Sequence, residues 1–386
     1  MTLLTVIGED IKKHKRRFLP GTHPDAAEVG RILAVPVSVD NVDEEDRQLI
    51  LSTLPRDTRA VYLSELDKGL SGSKVYRLVY TINNRRSKPF VLKLGAVDKI
   101  EAEAKRTETL AAPFIEIEEP VVRLGAKRGA LIQNFAGLGD RTELQSLRLH
   151  ARMSEDAGDT IHALFTKRLA NWYFPKDRKD KPVRLGTLFR RYITKGEKHG
   201  PLYPDRWTDL RSWVEETTGA EWRSMPPAVK AAAKRTVRSP STIVHGDFHA
   251  QNILVDNKGE SWPIDFAWTE DHSSPLVDLV MLECSLKFLG FPRRSDLREL
   301  FRIEQELARA YRPKVKTGRI PYCVEIRNVL NAVLALRAVA EEQFAFPFEA
   351  YAASLFLMTY ALATHPQLNR PFVLASLQIL CGSMRS

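Results

Sequence analysis

The chain has 386 residues, 44% hydrophobic and 27% charged, a balance that excludes general disorder. Lys and Arg total 58 against 48 Asp and Glu, and the net charge of +10 favours anionic partners without bearing on fold. No apolar run reaches the roughly 18–20 residues of a membrane span, the N-terminus lacks the pattern of a secretory leader, and three scattered cysteines, Cys284, Cys323 and Cys381, fit neither a disulfide framework nor a zinc site. The expectation is a cytoplasmic protein that does not enter a membrane.

Residues 1–60 alternate short helical pieces with charge and proline, and no chemistry is assigned to them. The acidic run 40–46 (DNVDEED) reads as a solvated helix start or loop. From residue 61 the pattern changes. Segments 61–66, 75–82 and 90–94 are rich in Val, Tyr, Leu and Ile, and turn residues separate them: Gly69, Ser71, Gly72 and Ser73 first, then Asn83 and Asn84. A helical pattern over 99–112 places Ile100, Ala104, Thr107 and Leu110 on one face. Two more strand patterns, 121–124 and 130–135, follow. This order predicts a small, mostly antiparallel sheet with one helix.

After residue 138 the composition turns helical. Segment 144–169 has few breakers apart from Gly158, 171–207 reads as irregular, and 210–236 reads as a helix broken at Pro226 and Pro227. Apolar runs at 253–255 and 263–266 flank Asn257, Lys258 and Gly259 and predict a hairpin. The remainder, 274–380, reads as helices with stops at Pro292, Pro313, Pro321, Pro347, Pro366 and Pro371, and 350–363 as a buried helix. The expected organisation is an extension (1–60), a small sheet unit (61–138) and a helical unit (139–386).

The densest chemistry lies in His245-Gly246-Asp247-Phe248-His249-Ala250-Gln251-Asn252, followed by Ile264-Asp265-Phe266. A tight loop and a short hairpin bring two carboxylates and one amide oxygen together. Such hard oxygens suit a magnesium ion carrying nucleotide phosphates. One carboxylate can stay off the metal and accept a proton from an incoming hydroxyl, the division of labour that phosphoryl transfer needs.

The stretch VHGDFHAQNILVDNKGESWPIDF resembles the catalytic loop and metal-binding hairpin of aminoglycoside phosphotransferase and choline-kinase-like enzymes. The resemblance implies an α+β, protein-kinase-like two-lobed fold with a small antiparallel-sheet lobe and a larger helical lobe. It implies ATP and Mg²⁺ as cofactors and a hydroxyl acceptor. Asp247 would be the catalytic base or would position the acceptor. Asn252 and Asp265 would bind the metal, and His245, His249 and Asp278 would support the loop. Upstream, the family's strand lysine falls on Lys93 and its helix partner on Glu103, with Glu101 the alternative. The loop carrying Gly69, Ser71, Gly72 and Ser73 would approach the phosphates through backbone N–H groups. Backbone groups at Gln133, Asn134 and Phe135 would meet the adenine edge.

The segment 167–206 carries twelve Lys or Arg and four acids, a surplus of eight charges. Polycationic aminoglycosides prefer an acidic cleft, so the acceptor expected is an anionic molecule rather than an aminoglycoside. Trp172, Tyr173, Phe174, Phe189, Tyr192, Tyr203 and Trp207 are interleaved with these charges. That mixture also suits single-stranded nucleic acid, the weaker reading. Two further alternatives are a protein kinase or nucleotide-sensing regulator, and a catalytically idle module binding nucleic acid or a partner protein.

Overall fold

The computed structural model describes residues 42–66, 73–115, 117–135, 144–175, 179–197, 212, 214–216, 225–292, 294–312, 324–365 and 367–383. The chain divides into two compact units, one of Met1–Leu144 with Asp265–Thr269, the other of Gln145–Ile264 with Glu270–Ser386. The segment 265–269 therefore leaves the second unit and joins the first. The fold class is α+β, as expected, with a small antiparallel sheet in the first unit and mostly helix in the second.

The first unit opens with α1 (Glu44–Thr53), capped by Asp43, whose side chain accepts the Asp46 N–H at 2.8 Å. Three acids in its first turn complement the helix dipole. The acidic run does start a helix, but Asp46 is not solvated. It is buried and takes two bonds from Arg128, at 2.7 and 3.0 Å, with Lys74 at 3.6 Å. Leu49, Ile50, Leu51 and Leu54 pack into the main core of the sheet.

The sheet consists of β1 (Thr58–Glu65), β2 (Lys74–Ile82), a two-residue β3 (Arg85–Arg86), β4 (Phe90–Ala96), β5 (Ile117–Leu124) and β6 (Arg128–Phe135). Its order is β1-β2-β4-β6-β5, antiparallel throughout, with β3 pairing β2. Asn83 and Asn84 both have positive φ, 48° and 61°, the conformation that closes a two-residue hairpin. Helix α2 (Val97–Arg106) follows β4 and widens into a π-helical turn over Thr107–Ala111.

Alternation along β4 decides the site. Phe90, Leu92 and Leu94 enter the core that α1 covers. Side chains one residue out of phase face the other way, and Lys93 stands opposite Leu131 of β6. Leu131 packs on Ile100 and Ala104 of α2. Lys93 is thus on the α2 side of the sheet.

The second unit runs through β7 (Gln145–Ser146), α3 (Leu147–Met153), α4 (Ala157–Ala163), α5 (Ala170–Tyr173), β8 (Asp180–Arg184), α6 (Leu185–Leu188), α7 (Arg190–Glu197) and α8 (Met225–Lys234). Next come β9 (Thr236–Pro240), β10 (Thr242–Val244), β11 (Ile253–Val255), β12 (Ser261–Pro263) and β13 (Glu270–Ser273). The helices α9 (Leu276–Ser285), α10 (Leu297–Leu307), α11 (Val324–Glu342), α12 (Phe348–Leu362) and α13 (Arg370–Ser383) complete it. Small antiparallel ladders join β8 to β9, β10 to β13, and β11 to both β12 and β7.

Several expectations are corrected here. Pro226 and Pro227 do not break a helix. They lie in the first turn of α8, where a missing N–H costs nothing. Pro347 and Pro371 likewise begin α12 and α13 rather than end the elements before them. The segment 171–207 is not irregular where it is described, since it forms α5, β8, α6 and α7. The expected hairpin around Asn257, Lys258 and Gly259 does form, but the strand pairing with β11 is β12, which begins two residues before the run at 263–266. Helix α12 is buried almost throughout, which accounts for its even apolar composition.

Candidate active site

In the first unit the site is built on one cation. Lys93 Nζ lies 2.6 Å from Glu103 Oε2 and 2.5 Å from Asp265 Oδ1. All three side chains are buried, each less than a tenth exposed. Glu103 reaches this position because Ile100, Glu103, Ala104 and Thr107 form the buried stripe of α2 and its continuing turn. Glu101, two residues earlier, faces solvent. Burial and the neighbouring Asp265 push the Glu103 carboxyl up to about 7, against the pull of Lys93. Burial alone would lower the Lys93 ammonium, but Asp265 and Glu103 outweigh it and hold it above its ordinary value.

Asp265 sits at φ 66°, ψ 69°, the left-handed region that few residues other than glycine adopt. The single turn Phe266–Trp268 follows it, with Phe266 fully buried. The strained backbone aims the carboxylate at Lys93.

Other residues expected around a nucleotide are placed as follows. Gln133 donates to Thr107 Oγ1 at 3.3 Å, and Thr107 donates to the Glu103 carbonyl at 3.0 Å, so this side chain serves α2. The pairing of β4 with β6 ends at Val91–Gln133, and Asn134 and Phe135 continue beyond it along β5. Ser73 is described and stands beside Gly95 of β4, where an added Cβ would lie 3.2 Å from the serine Oγ. Gly69, Ser71 and Gly72 lie outside the described residues.

In the second unit the 245–252 loop hangs on Asp278, near the start of α9. Asp278 Oδ2 accepts the His245 N–H at 2.7 Å, and Oδ1 accepts the Gly246 N–H at 2.8 Å. The Tyr173 hydroxyl donates to Oδ2 at 2.8 Å. Burial pushes the Asp278 carboxyl up to about 6, while these three donors pull it back. Gly246 has φ 79°, which a side chain would strain, and its carbonyl accepts the Tyr192 hydroxyl at 2.5 Å. Arg191 donates to that hydroxyl at 2.5 Å and to Glu270 at 2.8 Å. The His245 ring meets the Ile264 carbonyl at 2.9 Å through Nε2.

These bonds hold the loop so that Asp247 is presented with its side chain about a fifth exposed. Its carbonyl accepts the Asn252 amide and the His249 N–H, both at 2.9 Å. His249 is buried, its Nε2 4.0 Å from Asp247 Oδ2, and among the described residues its Nδ1 has no hydrogen-bond partner. The Ile264 N–H donates to the Asn252 carbonyl at 2.8 Å. The residue preceding Asp265 is therefore tied to Asn252.

Tyr173, Tyr192, Arg191 and Ser285, which donates no sequence signal of its own and caps the Ala250 N–H at 2.8 Å, escape a reading by motif. The two tyrosines stand out in sequence only as aromatics among basic residues. Trp172, Tyr173, Phe189 and Tyr192 are all buried, which removes them as platforms for bases. Tyr203 and Trp207 lie outside the described residues. Lys179, Lys181, Arg184, Arg190 and Lys195 are exposed, whereas Arg168 pairs with Glu260 at 3.1 Å.

Each unit, taken by itself, offers an oxygen donor of the hard kind that magnesium takes. The Asn252 amide nitrogen is committed to the Asp247 carbonyl, which leaves Oδ1 as an oxygen donor, and Asp265 supplies a carboxylate. Among the described residues no group of three or more His, Cys, Asp or Glu could hold a metal alone. One or two protein ligands supplemented by phosphates is the usual mode for magnesium.

The α+β class follows from the antiparallel sheet of the first unit and the mostly helical second unit. Residues 210–358 match the family model described as Ternary complex associated domain 9, a stretch that includes the 245–252 loop and Asp278 and excludes Lys93 and Glu103. No curated protein matches the sequence. Among solved structures, the chain is similar to choline kinase LicA from Streptococcus pneumoniae at a TM-score of 0.38 and 11% identity, over 85% of this chain and 94% of that one. It is similar to an aminoglycoside phosphotransferase from Alicyclobacillus acidocaldarius at 0.39 and 11%, over 90% and 93%. A Plasmodium vivax ethanolamine kinase gives 0.36 and 12%, over 84% and 81%. Among the described residues, no helix is long and apolar enough to cross a membrane.

Proposed function

We propose that the chain is an ATP-dependent phosphotransferase that moves the γ-phosphate of Mg-ATP to a hydroxyl of a small molecule. The observation that carries this reading is the buried set Lys93, Glu103 and Asp265, with one ammonium held between two carboxylates. Lys93 would hold nucleotide phosphates and Glu103 would keep the lysine extended. Asn252 and Asp265 would hold Mg²⁺, which supplies charge neutralisation on the phosphates when bound. Asp247 would accept the proton of the acceptor hydroxyl or orient it. Its loop is fixed by Asp278, Tyr173 and Tyr192, so little reorganisation is needed when substrate arrives.

The acceptor is proposed to be anionic rather than an aminoglycoside, because Lys179, Lys181, Arg184, Arg190 and Lys195 present unburied positive charge. The test separates binding from transfer. Asp247→Asn should keep Mg-ATP affinity within about twofold and lower phosphate transfer by at least about 100-fold, the usual worth of a positioned base. Unchanged turnover in that variant would remove the role given to Asp247.

A second reading, that the chain works inside an assembly, is favoured by the match of 210–358 to a domain described as ternary-complex associated. In that case the purified chain would bind nucleotide yet turn it over only in the presence of its partners.

A further inference from the structure

The contact between Lys93 and Asp265 joins two residues to which separate duties have been given, phosphate binding and metal binding. At 2.5 Å it is as close as the lysine–glutamate pair, and it is equally buried. A divalent cation approaching Asp265 in the absence of nucleotide meets a carboxylate already neutralised, with an ammonium beside it. Like charges at such range repel strongly where water is scarce.

We infer that Lys93 is a positioning residue for Asp265, standing in for the metal in the nucleotide-free protein so that metal and nucleotide bind together and metal alone binds poorly. This rests on the reading of Asp265 as a metal ligand. Nucleotide phosphates give the ammonium a new anionic partner, and the exchange releases the Asp265 carboxylate to the metal. Glu103 bonds Lys93 Nζ at 2.6 Å independently of Asp265, a second anchor for the lysine on β4. Asp265 is set in its left-handed conformation by the turn Phe266–Trp268, whose Phe266 is fully buried and whose backbone N–H supports Glu103. By reciprocity, whatever ATP does for metal affinity, the metal does for ATP.

The experiment is titration of Mn²⁺ alone into nucleotide-free protein, with free Mn²⁺ read by electron paramagnetic resonance. Wild type should bind Mn²⁺ weakly. Lys93→Met leaves two buried carboxylates without their cation, and its Mn²⁺ affinity should rise by about tenfold or more, a tenfold change being the step that such titrations resolve easily. The gain should vanish in Lys93→Met/Asp265→Asn. Lys93→Gln repeats the measurement with a polar side chain if Lys93→Met yields too little folded protein. A folded Lys93 variant with no gain overturns the inference, as does a gain that survives Asp265→Asn. Asp265→Asn with Mn²⁺ and ATP together keeps the two readings apart. Loss of metal-dependent binding there, combined with no gain in Lys93→Met, leaves Asp265 a metal ligand and removes only the stand-in role. Binding that persists removes the metal assignment, and the inference with it.

Discussion

Asp278→Ala tests how the loop around Asp247 is held. The substitution takes the acceptor from three buried donors, the His245 and Gly246 N–H groups and the Tyr173 hydroxyl. Each orphaned donor costs about 1–3 kcal/mol. The smaller side chain also opens a space that water can enter, which recovers part of the loss, so the expected destabilisation at pH 7 is about 3–5 kcal/mol. The pH dependence carries a second, independent expectation. Burial holds the Asp278 carboxyl at about 6, above its ordinary 3.8. A carboxyl with a raised folded-state value contributes stability that is fully present below its unfolded value and is lost as pH rises through the folded value. Two pH units at about 1.4 kcal/mol each amount to about 3 kcal/mol lost by wild type between roughly pH 4 and 7, and the alanine variant has no such loss. The gap between the two proteins should therefore narrow as pH rises over that window. Urea denaturation followed by far-ultraviolet circular dichroism at pH 4, 5, 6 and 7 measures both quantities. A gap below about 1 kcal/mol at pH 7 would show that the three donors find other partners. A gap that widens with pH would show that the donors, and not burial, dominate the carboxyl.

Two further expectations concern the helical unit. Tyr192→Phe removes the hydroxyl that donates to the buried Gly246 carbonyl and should cost about 1–3 kcal/mol of stability, measured by urea denaturation, while Mg-ATP affinity stays within about twofold. A neutral substitution would mean that α7 does not restrain the loop. Arg337→Met leaves Glu283 buried without the guanidinium that contacts it at 2.6 and 2.9 Å, and should cost about 3–5 kcal/mol. Burial would raise Glu283, but Arg337 and Lys287 outweigh it and hold it at about 2. Its contribution is present above its ordinary value and lost only as pH falls through about 2, so the variant should unfold in acid at higher pH than wild type. An unshifted acid midpoint would refute that assignment.

Much of the sheet unit is legible in the sequence, because its strands alternate apolar and polar residues around turn residues. Segments 75–82 and 90–94 fall within β2 and β4, and Asn83 and Asn84 close the hairpin after β2. Strand β8 is not legible. It is an edge strand with Lys181, Pro182 and Arg184 exposed, so it carries neither the apolar alternation nor the β-branched run that marks a strand. Prolines mislead in the helical unit because their meaning depends on whether they open a first turn or interrupt an interior. Pro226, Pro227, Pro347 and Pro371 belong to helix starts.

At the site, the sequence marks which residues have the right chemistry but not what holds them. Tyr173 lies 105 positions from Asp278, and Tyr192 lies 54 from Gly246. Pairings at such separations leave no periodicity to read. The Lys93–Asp265 contact is hidden for the same reason, since each residue has a sufficient local explanation without the other. Asp46 shows the reverse error. Its acidic neighbours suggest a solvated segment, yet a bidentate bond from Arg128 makes it part of the core.

Central to the account is that the Lys93, Glu103 and Asp265 set belongs to a magnesium–nucleotide site. The most direct measurement is thermal stabilisation by ATP with and without Mg²⁺, for wild type and Asp265→Asn in parallel. A ligand that binds the folded state raises the melting temperature by mass action. The expected result is a shift in wild type that requires both ATP and Mg²⁺ and is absent in Asp265→Asn. A well-folded wild-type protein that shows no shift, or a shift indifferent to Mg²⁺ and to Asp265, would contradict the account.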